Sequence, residues 1–391
     1  MDKSLDVLLD YCKSQGFKGW DPYDGLNSKV FKGLGLNKVA FFRLAWIQLF
    51  KRNPINFRRL LLVPKGHNPK GIGLFLSAYS KELIALRGKQ EGNYGDLEIN
   101  VHELAELLIE LRSEGYSGSC WGYNFDWQAR GGLFFPSGTP TVVATTYAAY
   151  GLFDAYEATG NTRYLSVALD AVNFVLKDLS RDYRDDETFL FSYSVTQGNN
   201  TVYNASLLGS KLLSRAYYYN KDHSLIDIAR GSVQAVINAQ EDDGSWVYGE
   251  LPFQSWKDSF HTGFNLECLA DYMKFTGDKS FEDRINIGFN YYIKNFFTDE
   301  GIPKYYNNEV FPIDIHSPAQ LVVTINSLGL MNEYSDLVEK VTNWTIENMQ
   351  DSNGYFYYQK KKFWTTKIPF MRWSQAWMAH SLMVYKIALD E

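Results

Sequence analysis

The chain has 391 residues, 45% hydrophobic and 21% charged, with a formal net charge of -6. That apolar content is ample for a large core, and an acidic balance without a basic stripe argues against a nucleic-acid partner. Cys12, Cys120 and Cys268 stand too far apart in sequence for a disulfide framework or a cysteine-based zinc site.

Met1-Asp2-Lys3-Ser4-Leu5-Asp6 lacks the basic start and apolar run of a signal peptide, and no stretch approaches the roughly 20 apolar residues of a spanning helix. No transmembrane segment and a cytoplasmic location are therefore expected. Helices are expected near 3–15 and 37–51. Val39 to Phe50 is the most apolar stretch and is interrupted by Arg43; Lys51 to Lys70 is the most basic, with Arg52, Arg58, Arg59 and Lys65 around Leu60, Leu61 and Leu62. A helix followed by a charged loop is preferred there over a membrane-surface patch.

From residue 69 onward the helical pattern becomes regular. One set of helices, near 69–87, 140–159, 202–219, 259–276, 315–330 and 370–388, is rich in small and apolar residues. The other, near 98–114, 161–180, 222–239, 279–297 and 333–350, carries more charge, with 37–51 or 3–15 as a sixth member. Tight turns join the pairs: Tyr156 to Asn161, Tyr272 to Asp278 and, in degenerate form, Tyr219 to Asp222. In each, a Gly or Asn can stop one helix in the left-handed conformation and a polar residue can cap the next.

A second element recurs after the more charged helices. It reads Gly118-Ser-Cys-Trp-Gly-Tyr123, Phe189-Leu-Phe-Ser-Tyr193, Gly244-Ser-Trp-Val-Tyr248, Gly301-Ile-Pro-Lys-Tyr305 and Gly354-Tyr-Phe-Tyr-Tyr358. Alternating aromatics after a turn suit a short extended segment. The periodicity thus predicts an all-α ring of about six helical hairpins, one set of helices inside and one outside, with β-like segments in the long loops of one face. Residues 69–391 would form the ring, and residues 1–68 a helical segment that packs on it or completes it.

These hairpins resemble the (α/α)6 toroid of six-hairpin glycosidases, several polysaccharide lyases and epimerases, and terpene cyclases. Gln240-Glu241-Asp242-Asp243-Gly244-Ser245-Trp246 also resembles the Gln-Trp repeat of the cyclases. Gly19 to Ser28 and Asp258 to Phe264 resemble proteins encoded with surface-polysaccharide genes. The resemblance implies a carbohydrate-active enzyme on an oligosaccharide or polysaccharide, plausible in surface-polysaccharide biosynthesis.

Chemistry is expected where the long loops enter the inner helices, because helix N-termini offer free N–H groups and a positive field. Those junctions carry Tyr203 and Asn204; Asp258 and His261; Asp314 and His316; Arg372, Trp373 and Gln375. The Asp-to-His theme occurs twice. Asp is also a common helix cap, so capping competes with catalysis for both carboxylates. An imidazole held by a carboxylate can serve as acid or base, which makes His261, His316, Asp258, Asp314 and Tyr203 the catalytic candidates.

Trp121 to Arg130 alternates aromatic faces with Asn, Asp, Gln and Arg, a composition suited to stacking and hydrogen-bonding sugars. Trp20, Asp21, Trp121, Tyr123, Asp126, Trp127, Asn204, Trp246, Glu250, Arg372 and Trp373 are the binding candidates, and Trp121, Trp127, Trp246, Tyr248 and Trp373 are expected to border one cleft with accessible rings. No His-x-x-x-His or Glu-x-x-His spacing, phosphate loop or nucleophile elbow is present, so no metal or cofactor is expected. Hydrolysis would draw on two of Asp21, Asp126, Glu250, Asp258 and Asp314; epimerisation or elimination would draw on His261, His316, Tyr203 and Arg372. A glycan-binding protein without catalysis and a terpene-cyclase-like enzyme are the alternatives. Nothing in the sequence speaks to oligomeric state.

Overall fold

The computed structural model describes residues 1–89, 94–129, 132–196 and 198–390. Its helices are α1 (Asp2–Ser14), α2 (Lys29–Gly33), α3 (Ala40–Arg52), α4 (Pro69–Lys89), α5 (Gly95–Glu110), α6 (Val142–Thr159), α7 (Thr162–Lys177), α8 (Tyr203–Asn220), α9 (His223–Asn238), α10 (Ser259–Thr276), α11 (Glu282–Phe296), α12 (His316–Ser327), α13 (Ser335–Met349) and α14 (Ala376–Asp390). The even-numbered helices from α4 to α14 touch in sequence order, and α14 returns to α4, closing an inner ring.

The two sets differ because their neighbours differ. An inner helix meets two flanking helices, an outer helix and the axis, so α6 is buried on almost every side from Val142 to Ala155. Outer α7 buries one stripe, with Tyr164, Ala168, Ala171, Val172 and Val175 at three- and four-residue spacing. Small residues set the spacing of the inner ring. A Cβ on Gly73 would lie 2.5 Å from the Tyr147 carbonyl oxygen, and one on Gly151 2.6 Å from that of Gly73. The tight turns form as expected, with Gly160 and Gly277 left-handed and Asn161 and Asp222 capping the following helices. In the degenerate turn it is Lys221, not Asn220, that takes the left-handed conformation.

Of the two expected sixth outer helices, the ring uses α1. It packs on α14, and the backbone of its middle meets the loop glycine Gly354, where a Cβ would lie 2.3 Å from the Val7 carbonyl oxygen. Gly244 abuts α11 in the same manner, 2.5 Å from the Ile287 carbonyl oxygen. α3 is a genuine helix but lies outside the ring.

The long loops meet on one face. Isolated bridges pair the start of one inner helix with a neighbouring loop: Thr141 with Ser194, Val202 with Gly249 and Asp258 with Tyr306. Short antiparallel pairs join Trp127–Gln128 to Phe134–Phe135 and Arg181–Tyr183 to Phe189–Phe191, and a three-stranded set joins Ile313–Asp314, Gln359–Lys360 and Thr365–Thr366. Residues 19–66 form a strap over this face. Gly19 and Gly66 pair at its two ends, and Trp20 bridges to Phe370. The strap has its own small core of Leu26, Phe31 and Ile47, flanked by Trp46.

Candidate active site

The repeated loop element places its residues by simple alternation. Trp121, Phe191, Trp246 and Phe356 point down into the core and are buried. Two positions on stand Tyr123, Tyr193, Tyr248, Tyr305 and Tyr358, which form an arc around the toroid axis. The Tyr123 and Tyr193 hydroxyls are 3.1 Å apart. Tyr23 of the strap drops into this arc: its ring lies 5.6 Å from that of Trp373 and 6.3 Å from that of Trp127, and its hydroxyl accepts a 2.7 Å hydrogen bond from Lys51. Burial pushes the Tyr193, Tyr305 and Tyr358 phenols far above their usual range, so they remain hydrogen-bond donors at any working pH.

His261 sits on the first turn of α10. Asp258 caps that helix, accepting from the His261 backbone N–H at 2.9 Å, and its other oxygen lies 2.7 Å from His261 Nδ1. Trp256 Nε1 donates to that same oxygen at 2.8 Å. A carboxylate only accepts, so Nδ1 carries a hydrogen and Nε2 is the nitrogen left for a ligand. Capping and orientation of the imidazole are thus two tasks of one carboxylate. Tyr248 packs against the imidazole at 4.5 Å between centroids and stacks on Trp256. Asn204, Trp246, Tyr248, His261 and Asn265 bound a narrow crevice here, too tight as it stands to admit a water molecule. The buried Asn204 Oδ1 and Asn265 Oδ1 have no partner among the described residues.

His316 stands one repeat further on, across Phe260, whose ring lies 4.3 Å from His261 and 5.1 Å from His316. It is buried, and neither ring nitrogen has a hydrogen-bond partner among the described residues. Burial, with the nearby Lys70 and Arg372 charges, pushes its pKa well down, so the ring stays neutral. Asp314 does not hold it as Asp258 holds His261: the nearest approach is 3.8 Å. Asp314 instead accepts from Trp373 Nε1 at 2.9 Å, Gln359 Nε2 at 3.1 Å and the His316 backbone. Burial pushes its carboxyl up to about 6.

The structure corrects other expectations. Trp121 and Trp246 do not present accessible rings: both are fully buried, and their Nε1 groups donate to the carbonyls of Leu108 and Val236 near the ends of outer helices. They pin each loop to the helix before it. Trp373 is also almost wholly buried, whereas Trp127 and Tyr248 keep part of their rings open. Glu250 forms an exposed ion pair with Arg184, beside Tyr203 rather than the imidazoles. Asp126 pairs with Lys32 of α2 and fastens the strap. Trp20 donates to the Val63 carbonyl within the strap. Arg372 is not free for a substrate carboxylate, because Asp21 binds it through two hydrogen bonds of 2.6 and 2.8 Å. Arg130 lies outside the described residues.

Lys70 was not legible as a site residue. It is buried on the first turn of α4, with its ammonium over Tyr147 at 4.4 Å and within 5.2 Å of the Phe264 and Trp377 ring centroids. Burial, with Arg372 nearby, pushes its pKa well down. Reading the start of α4 as the other inner-helix starts were read would have found it. Tyr193 was legible in the same way, from its place in the repeated loop.

No protein-family model matches the chain, and no curated protein matches its sequence. Solved structures do resemble it. Cellobiose 2-epimerase from Bacillus thermoamylovorans aligns with a TM-score of 0.62 at 14% identity, over 84% of this chain and 90% of that one. A glycoside hydrolase family 76 mannosidase from Bacteroides thetaiotaomicron aligns with a TM-score of 0.60 at 12% identity, over 99% of this chain and 100% of that one. A D-mannose isomerase aligns with a TM-score of 0.59 at 10% identity, over 83% and 87%. The fold is the (α/α)6 toroid of six-hairpin glycosidase-like proteins.

Proposed function

We propose that the chain is a carbohydrate-active enzyme that moves a proton on a sugar, as an epimerase or isomerase does. The observation that carries this reading is the pair of imidazoles. His261 Nε2 makes no hydrogen bond among the described residues, and His261 borders the crevice while Asp258 fixes the opposite nitrogen. His316, on the adjacent inner helix, is neutral with both nitrogens unpartnered. Buried polar groups left without partners are where a ligand supplies the missing bonds. In this scheme His261 takes a proton from a carbon next to a carbonyl or carboxylate, and the negative charge spreads onto oxygen. The neutral His316 donates an N–H hydrogen bond to that oxygen, and the protonated His261 gives the proton back to carbon. Partly open aromatic rings at Trp127 and Tyr248 give the sugar a stacking surface.

Hydrolysis needs two carboxyl groups facing the bond. Asp258 and Asp314 are committed to His261 and Trp373, and Asp21, Asp126 and Glu250 to ion pairs. The likeness to structures that include sugar epimerases and isomerases supports a saccharide substrate. Two imidazoles and a buried carboxyl fit a terpene pocket poorly. A place in cytoplasmic surface-polysaccharide biosynthesis, implied by the sequence resemblance, belongs to the same proposal. The test is incubation with reducing and uronate-containing oligosaccharides in deuterated water. Deuterium uptake without cleavage is the expected result. Shorter products would make the chain a hydrolase or lyase, and binding without either would make it a lectin-like protein.

A further inference from the structure

The strap over the cleft differs in charge and surface from the rest of the molecule. Residues 25–81 contain no Asp or Glu, and Lys29 to Lys65 alone holds nine Lys and Arg residues in a chain of net charge -6. Several are used internally: Arg58 pairs with buried Asp24, Lys32 with Asp126, and Arg43 bonds Gln128. Lys29, Lys38, Arg52 and Arg59 are exposed and make no ion pair among the described residues. Interleaved with them are large apolar side chains open to solvent, including Phe41 (73%), Leu60 (75%), Leu34, Phe42 and Ile55. A second exposed apolar tip, Phe363 (82%) and Trp364, lies on the hairpin between Gln359–Lys360 and Thr365–Thr366, flanked by Lys360, Lys361 and Lys362.

The two pieces form one surface. Lys29 N–H donates to the Leu62 carbonyl, which ties the start of α2 to the Leu60–Leu62 turn. The hairpin stands beside the end of α3: Lys51 bonds the Tyr23 hydroxyl, the Tyr23 ring lies 5.6 Å from that of Trp373, and Trp373 and Gln359 at the base of the hairpin both bond Asp314. Nearly half of the exposed large apolar side chains among the described residues fall in these two segments. Scattered exposed apolar residues need no explanation, but a concentration of them rimmed by unpaired cations does.

We propose that the strap and the 360–367 hairpin form a docking surface for an anionic phospholipid bilayer. Phe, Trp and Leu beside Lys and Arg, on elements too short to span, is the composition of a segment that lies in the headgroup region. The cations complement acidic lipid, each worth roughly fivefold in binding near the surface. A second copy of the same face would bring like charges together, and nucleic acid would leave the apolar side chains exposed. Docking in this way places the cleft mouth against the lipid, where a lipid-tethered glycan could reach it. That last consequence rests on the sugar reading of the cleft; the docking does not.

The test is flotation of the whole protein with vesicles of phosphatidylcholine alone and of phosphatidylcholine mixed with phosphatidylglycerol. Binding to the mixed vesicles alone, weakened by added salt, is expected. Phe41→Ser with Phe42→Ser, and separately Phe363→Ser with Trp364→Ser, are expected to lower that binding at least tenfold. Lys360→Glu with Lys362→Glu is expected to do the same, with thermal melting unchanged in all three. All but half-buried Lys360 are exposed, and none makes an ion pair among the described residues, so the fold tolerates their replacement. No binding to mixed vesicles, binding indifferent to all three variants, or a dimer that the same substitutions dissociate would overturn the proposal. Deuterium uptake into a water-borne sugar reads the cleft independently, so the two readings fail separately.

Discussion

At the scale of single residues, His261 and Asp258 divide the chemistry between them. If His261 exchanges a proton with substrate, His261→Gln keeps a hydrogen-bonding side chain but removes the basic ring nitrogen. Turnover is then expected to fall by about 10²–10⁴-fold with melting behaviour preserved. Asp258→Asn should lower kcat more than it raises KM, because the amide no longer fixes the hydrogen on Nδ1, while stability should change little, because the amide oxygen can still cap α10. An unchanged kcat in either variant would leave these residues as a cap and its packing partner. His380 makes a different point. Burial and nearby Lys81 push its pKa down to about 3, while its unfolded value is the ordinary one near 6.5. Between those values the unfolded chain takes up a proton that the folded protein refuses, so stability falls as pH drops below about 6.5. At pH 5 the loss is about 2 kcal/mol. Asp24 and Asp314, both raised to about 6, act with the opposite sign and gain as pH falls. They are common to both proteins, so the difference between wild type and His380→Asn isolates the histidine. Urea unfolding at pH 7 and pH 5 should show the variant losing less stability on acidification than the wild type.

At the scale of elements, three of the loops are pinned twice, by an aromatic underneath and by a glycine against the next outer helix: Trp121 with Gly118, Trp246 with Gly244 and Phe356 with Gly354. Trp121→Phe keeps the ring but loses the 2.7 Å bond from Nε1 to the Leu108 carbonyl. It should cost about 1–2 kcal/mol, read as a lower urea midpoint. Gly354 sits at φ of 94° with the Val7 carbonyl oxygen where a Cβ would go. Gly354→Ala should cost about 1–3 kcal/mol and raise hydrogen exchange in α1 above that of α7. A variant as stable as wild type would mean that α1 is not held there. The same elements show what sequence can reveal. The hairpins were legible because inner and outer helices differ in how many sides they bury. The arc of tyrosines was legible too, because the loop motif repeats in register. The depth of each ring was not: Trp121 and Trp127 are six residues apart in one aromatic stretch, and only the outer-helix carbonyl above Trp121 separates a buried pin from an open face. Arg372 read as a free cation for the same reason, since its partner Asp21 lies 351 positions away in sequence.

At the scale of the molecule, α1 is what turns a row of hairpins into a ring. It buries Leu5, Leu8, Leu9 and Cys12, and each such side chain contributes about 1.5–3 kcal/mol when fully removed from water. Removing residues 1–14 should leave the flank of α14 open; limited proteolysis is expected to cut first in α14, with a broadened, lower melting transition. Intact resistance of α14 in the truncated protein would show that the inner ring holds itself. Sequence alone leaves α1 and α3 equal candidates for this place, because both are helices of 13 residues ahead of the regular hairpins. The choice depends on a loop glycine more than 300 residues downstream.

That closure has a consequence for how the protein comes into being on the ribosome. A linear array of repeats can settle one unit at a time, each new repeat stacking on the last. Here α1 and one flank of α4 wait for α14, which leaves the exit tunnel after every other helix of the ring. Until then the nascent chain carries two unmatched apolar edges, the kind of surface that chaperones recognise and that aggregates when they fail. The ring therefore gains its last and its first interhelical contacts in one late step, and synthesis paused before residue 376 leaves an open arc.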